Sequence, residues 1–152
     1  MAAVAHIQPS VLVVEDNADD VCLFKAAIRR APISVAFHFV SDGEEAISYL
    51  KGEPPFSDRR ANPFPDLVLL DLTLPKVDGF TVLEWIRTTP GCESLRVFVW
   101  SGWQTASHLE RAKKLRAERF ILKVAGVEGL ADVVTAIGTA LKERATESGS
   151  AV

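Results

Sequence analysis

Two uninterrupted aliphatic runs, Val11-Leu12-Val13-Val14 and Leu67-Val68-Leu69-Leu70, each end at a carboxylate: the first at Glu15 and Asp16, the second at Asp71. A strand with one wet face alternates apolar and polar side chains. A run with no polar member fits a strand covered on both faces, as in a parallel sheet between two helical layers. This pattern requires helices to alternate with the strands, and it places charge at the rim of the sheet.

The rest of the chain supplies that alternation. A helical pattern runs from about Ala18 to Arg30 and is stopped by Pro32. Val35 to Val40 reads as a second strand, Asp42-Gly43 as a turn and Glu44 to Lys51 as a helix. Residues 52–65 hold Pro54, Pro55, Pro63 and Pro65, which stiffen a loop and exclude regular structure. After the strand ending at Asp71, Pro75 and Gly79 punctuate the way to a helix of Phe80 to Thr88. Val97 to Trp100 and Arg119 to Leu122 read as the fourth and fifth strands, with a helix of Thr105 to Leu115 between them. A last helix of Gly129 to Arg144 carries Leu130, Val133, Val134, Ile137 and Leu141 on one stripe. The expected organisation is a flexible N-terminus at 1–9, one α/β domain at 10–145 and a disordered tail at 146–152. Such alternation predicts a parallel sheet with helices on both faces, and ligands bound beyond the C-terminal strand ends.

Composition narrows the function. The net charge of −3 argues against a nucleic-acid surface. Arg111, Lys113, Lys114 and Arg116 read as a solvated helix face. Cys22 and Cys92 are far apart and outside any Cys-x-x-Cys pair, as expected of reduced thiols in a cytoplasmic protein. No run approaches the ~18 apolar residues of a membrane span, and residues 1–10 have no Lys or Arg of the kind a secretory leader carries. His6, His38 and His108 show no metal-ligand spacing, and Trp100 and Trp103 read as packing or interface residues.

The strand ends carry the chemistry. Glu15 and Asp16 close the first strand, Asp71 the third, Ser101 the fourth and Lys123 the fifth. Three carboxylates at neighbouring ends repel one another, and a hard divalent cation relieves the repulsion through oxygen ligands. Mg²⁺ suits a site of few protein ligands, with Mn²⁺ as the alternative. A carboxylate beside such an ion, a lysine and a hydroxyl is equipped for phosphoryl capture: Asp71 as nucleophile, Lys123 neutralising phosphoryl charge, Ser101 donating a hydrogen bond. Gly102 leaves room for the group. Capping of the first helix is the plainer role for Glu15 and Asp16, but Asp19 and Asp20 already supply its first turn with negative charge.

Val-Val-Glu-Asp-Asn at 13–17, Leu-Leu-Asp-Leu-Thr-Leu-Pro at 69–75 with Asp78-Gly79, Trp-Ser-Gly at 100–102 and Leu-Lys at 122–123 together resemble the receiver domain of two-component response regulators. The resemblance covers about residues 10 to 145. It implies a flavodoxin-like three-layer (βα)5 sandwich with strand order 2-1-3-4-5. It further implies Asp71 as phosphoacceptor, Asp16 as direct metal ligand, Glu15 acting through water, and Thr73 lending its backbone carbonyl. Ser101 and Phe120 take the switch positions. The family is not enzymatic beyond self-phosphorylation and self-dephosphorylation. Val124 stands where the family has proline, Phe120 lacks the hydroxyl of a tyrosine, and Trp103 is bulky beside the site and limits water access. With the long 52–65 insertion, these departures resemble the small stand-alone response regulators that partner bacterial phytochromes. The implied partners are a histidine kinase, a downstream protein and a second copy through the helix 4–strand 5–helix 5 face, with no nucleic acid and no membrane.

Three other functions compete. A Mg²⁺-dependent phosphatase of the haloacid dehalogenase type needs a second Asp where Thr73 stands. A flavodoxin-type binder needs a hydroxyl- and glycine-rich phosphate loop where residues 15–19 are acidic. A pseudo-receiver that docks without phosphorylation has no use for the intact set of Glu15, Asp16, Asp71, Ser101 and Lys123.

Overall fold

The structure is a computed structural model describing residues 8–102, 105–123 and 127–150. Its elements run β1 (Ser10–Val14), α1 (Ala18–Arg30), β2 (Ala36–Val40), α2 (Gly43–Lys51), β3 (Leu67–Leu70), α3 (Gly79–Thr88), β4 (Arg96–Ser101), α4 (Ala106–Lys114), β5 (Arg119–Leu122) and α5 (Val127–Ser150). The five strands are parallel, in the order β2-β1-β3-β4-β5.

Side chains along each strand point alternately to the two faces, so each apolar run feeds two cores. Leu12, Val14, Val68, Leu70, Val97 and Val99 pack with Ala46, Leu50, Leu83 and Ile86 of α2 and α3. Val11, Val13, Leu67, Leu69, Phe98 and Trp100 pack with Phe24 of α1 and with Leu130, Val134 and Ile137 of α5. The uninterrupted runs are thus explained: β1 and β3, inside the sheet, are buried at every position, whereas the edge strands β2 and β5 are only partly covered.

Side-chain caps set several helix boundaries. The Asn17 side chain accepts from Asp20 N, Asp42 from Glu45 N, Asp78 from Thr81 N and Thr105 from His108 N, each satisfying an orphan donor of a first turn. Asp42 therefore begins α2 and Gly43 is its first residue, where the sequence reads as a turn. α5 continues to Ser150, past the Arg144 end and into the expected tail at 146–152; residues 145–148 contain no proline or glycine to stop it. Residues 1–7 and the Val124 position lie outside the described residues.

The proline-rich 52–65 segment is folded against the body. The Arg59 guanidinium donates to the carbonyls of Tyr49 at 2.7 Å, Leu50 at 2.8 Å and Asn62 at 3.1 Å, capping the C-terminal turn of α2. The Tyr49 hydroxyl donates to the Pro63 carbonyl at 3.0 Å, and Phe56 packs against the core. Cys22 is exposed and Cys92 buried, both as free thiols. Among the described residues no helix is long and apolar enough to cross a membrane.

Candidate functional site

Register brings the site together. Val14 pairs with Leu70 across β1 and β3, so the next residues, Glu15 and Asp71, emerge side by side. Leu70 pairs with Val99 and Ser101 with Leu122, which brings the ends of β4 and β5 to the same rim. The chain leaves β1 toward β2 on one side and β3 lies on the other, so the crevice forms at this reversal of strand order.

A pocket of about 250 Å³ opens there, lined by Glu15, Asp16, Asn17, Asp20, Asp71, Thr73, Gly102 and Lys123. Asp71 is buried. Its Oδ1 accepts from the Thr73 backbone N–H at 2.9 Å and its Oδ2 from Lys123 Nζ at 3.0 Å, so both oxygens are held in place. Glu15 is also buried, accepting from Lys123 Nζ through one oxygen and from Asn17 N at 3.2 Å through the other. Lys123 Nζ reaches Asp20 as well, at 3.1 Å, and sits 4.6 Å from the centroid of the Trp100 ring. Its backbone N–H donates to the Ser101 carbonyl at 2.7 Å, fixing where the side chain starts.

Carboxylate oxygens of Glu15, Asp16 and Asp71 lie within 4.8 Å of one another. Burial raises the Glu15 carboxyl to about 7; the hydrogen bond from Lys123 opposes that rise, and the neighbouring Asp71 reinforces it. Lys123 is pushed above its ordinary value: burial works against its charge, but the hydrogen bond to Glu15 and the charge of Asp71 outweigh it. One ammonium thus faces more negative charge than it can neutralise. Three oxygen donors at this spacing, with exposed Asp16 at the mouth, fit a hard divalent cation.

Of the residues expected at the site, Glu15, Asp16, Asp71, Thr73, Gly102 and Lys123 line one pocket. Ser101 is buried at the end of β4. A Cβ at Gly102 would meet nothing within 4 Å, so the space beside it is open. Phe120 packs against the core on the side covered by α2, α3 and α4. Trp103 lies outside the described residues. Asp20 was read only as a first-turn acid. Its signal is its place in the first turn of α1, four residues before the buried Phe24, on the side of the helix that faces the sheet.

The buried strand-end Asp71, gripped by Lys123, thus sits in an acidic pocket at the rim of a doubly wound sheet. The model of the response regulator receiver domain matches residues 11–135, and the chain belongs to that family. Aspartyl phosphorylation is the family's general mechanism, and its members are signalling switches. Response regulator Rcp1 of Synechocystis is 33% identical over 100 residues, which is 66% of this chain and 63% of that protein. The Mn²⁺-bound form of Rcp1 superposes with a TM-score of 0.75 at 26% identity, covering 85% of this chain and 91% of that one. RPA3017, described as a response regulator in red light signalling of R. palustris, gives 0.78 at 32% identity, covering 85% and 90%. The phosphorylated cyanobacterial phytochrome response regulator RcpA gives 0.77 at 31%, covering 86% and 91%. The similarity to phytochrome-associated members agrees with the resemblance read from the motifs.

Proposed function

We propose that Asp71 is the phosphoacceptor of a Mg²⁺-dependent two-component switch, loaded by a histidine kinase of the phytochrome class. The observation that supports it most is the double hold on the Asp71 carboxylate, by Thr73 N–H on one oxygen and Lys123 on the other, within a cluster suited to a divalent cation. An Asp71 oxygen forms the bond to phosphorus, the phosphorus–nitrogen bond of the kinase phosphohistidine breaks, and the leaving imidazole takes a proton. Lys123 donates to a phosphoryl oxygen, and Ser101 at the end of β4 supplies a hydroxyl to another. Asp16, Asp71 and the Thr73 carbonyl would hold Mg²⁺ or Mn²⁺, with Glu15 engaged through water. The ion, when bound, offsets charge on the transferring group.

Ser101 and Phe120 then reorient, and the face of α4, β5 and α5 passes the signal on by docking, to a downstream protein or a second copy. Support for that face is Leu122 of β5, 42% exposed, beside an α4 whose only buried side chain among its described residues is Ala112. The site of action is the cytoplasm, where histidine kinases present their phosphoryl groups.

Acetyl phosphate or a phosphorylated bacterial phytochrome kinase, supplied with Mg²⁺, adds one phosphoryl group to the wild-type protein, read by intact mass. Asp71→Asn takes none. A variant that still carries the label moves the acceptor elsewhere.

A further inference from the structure

An ammonium has three N–H donors, and the structure uses all three of Lys123: on Glu15, on Asp71 at 3.0 Å and on Asp20 at 3.1 Å. An oxygen of an arriving phosphoryl group must take over a donor already engaged. The three acceptors differ in what they lose. The Glu15 side chain is 1% exposed and that of Asp71 is 5% exposed, so either one, left without the lysine, becomes a buried charge short of a partner. The Asp20 side chain is 33% exposed. Water can replace its bond, and its place in the first turn of α1 favours a negative charge even without the lysine. The ring of Trp100, 4.6 Å from Nζ, keeps the ammonium in the pocket without offering a carboxylate in competition.

We propose that Asp20 is a positioning residue for Lys123: it occupies the third donor in the unphosphorylated state and is the acceptor given up when a phosphoryl oxygen arrives. The proposal rests on the reading of Asp71 as phosphoacceptor. Asp20 then stabilises the empty state, and removing it favours the loaded one.

The test is calorimetric titration of beryllofluoride, a phosphoryl mimic, at saturating Mg²⁺, with a thermal melt of each variant. Asp20→Asn, or Asp20→Ser should the first fold poorly, binds the mimic about two- to fivefold tighter, the gain expected when one part-exposed competing ion pair is lost. Asp20→Glu, which restores a carboxylate, returns toward the wild-type affinity. Asp19→Asn deletes the same charge one residue away, on an exposed side chain, and changes the affinity by less than about twofold. Equal gains in the Asp19 and Asp20 variants reduce the effect to bulk charge and overturn the proposal. Weaker binding by Asp20→Asn overturns it too, since Lys123 then needs that anchor in the loaded state. A wild-type protein that binds no beryllofluoride overturns the phosphoacceptor reading itself, before any variant is compared.

Discussion

Glu15 shows how one residue ties stability to ligand binding. Its carboxyl is raised from 4.5 to about 7. Between those values the native protein keeps a proton that the unfolded chain has released. The stabilisation is therefore complete below about pH 4.5 and is lost as pH rises through 7. A cation reverses the preference, because it binds the ionised cluster. Mg²⁺ affinity, followed by calorimetry, rises roughly tenfold between about pH 5.5 and 7.5 in the wild type. Glu15→Gln flattens that profile. A flat wild-type profile removes Glu15 from the cation's surroundings.

Among the elements, the loop from Asp71 to Asp78 is pressed by the first residues of two helices. A Cβ on Gly79 would stand 2.2 Å from the Asp71 carbonyl oxygen and 2.5 Å from Leu72 Cα, and one on Gly43 would stand 2.1 Å from the Val77 carbonyl oxygen. Only glycine lets α2 and α3 begin so close to the Asp71–Asp78 loop. Gly79→Ala therefore costs about 1–3 kcal/mol by overpacking and displaces Asp71. Denaturant melts and acetyl phosphate labelling read both effects. Gly102→Ala, whose Cβ meets open space, keeps near-native stability, and a loss equal to that of Gly79→Ala contradicts the packing account. The proline-rich segment shows that irregular backbone need not be loose: Arg59 ties it to the carbonyls ending α2.

At the scale of the molecule, a sheet that concentrates acids at one rim stores repulsion there, and a cation bound at that rim would link it to global stability. A ligand at about 100 times its Kd contributes about 2.7 kcal/mol. For a domain of this size, Mg²⁺ in that excess raises Tm by about 5–10 °C. Asp16→Asn suppresses most of the rise, because Asp16 is the exposed member of the cluster at the pocket mouth. A wild-type melt indifferent to Mg²⁺ sinks the metal reading while leaving the fold intact.

Local chemistry was enough to specify the alternation of strands and helices, the doubly covered sheet and the strand-end residues. Continuous apolar runs such as 11–14 and 67–70, a proline at 32 and carboxylates at 15, 16 and 71 carry their meaning within a few residues of themselves. Asp42 as a cap was legible only in part, since a turn and a capped helix begin with the same residues. The partners of Lys123 were a tertiary decision. Glu15, Asp20 and Asp71 lie 108, 103 and 52 residues from it. Only parallel pairing in the order 2-1-3-4-5 brings those backbones to one rim. The choice of Asp20 over its neighbour Asp19 follows from which side of α1 faces the strand ends, and that orientation is set by Phe24 and Ala27 packing into the core.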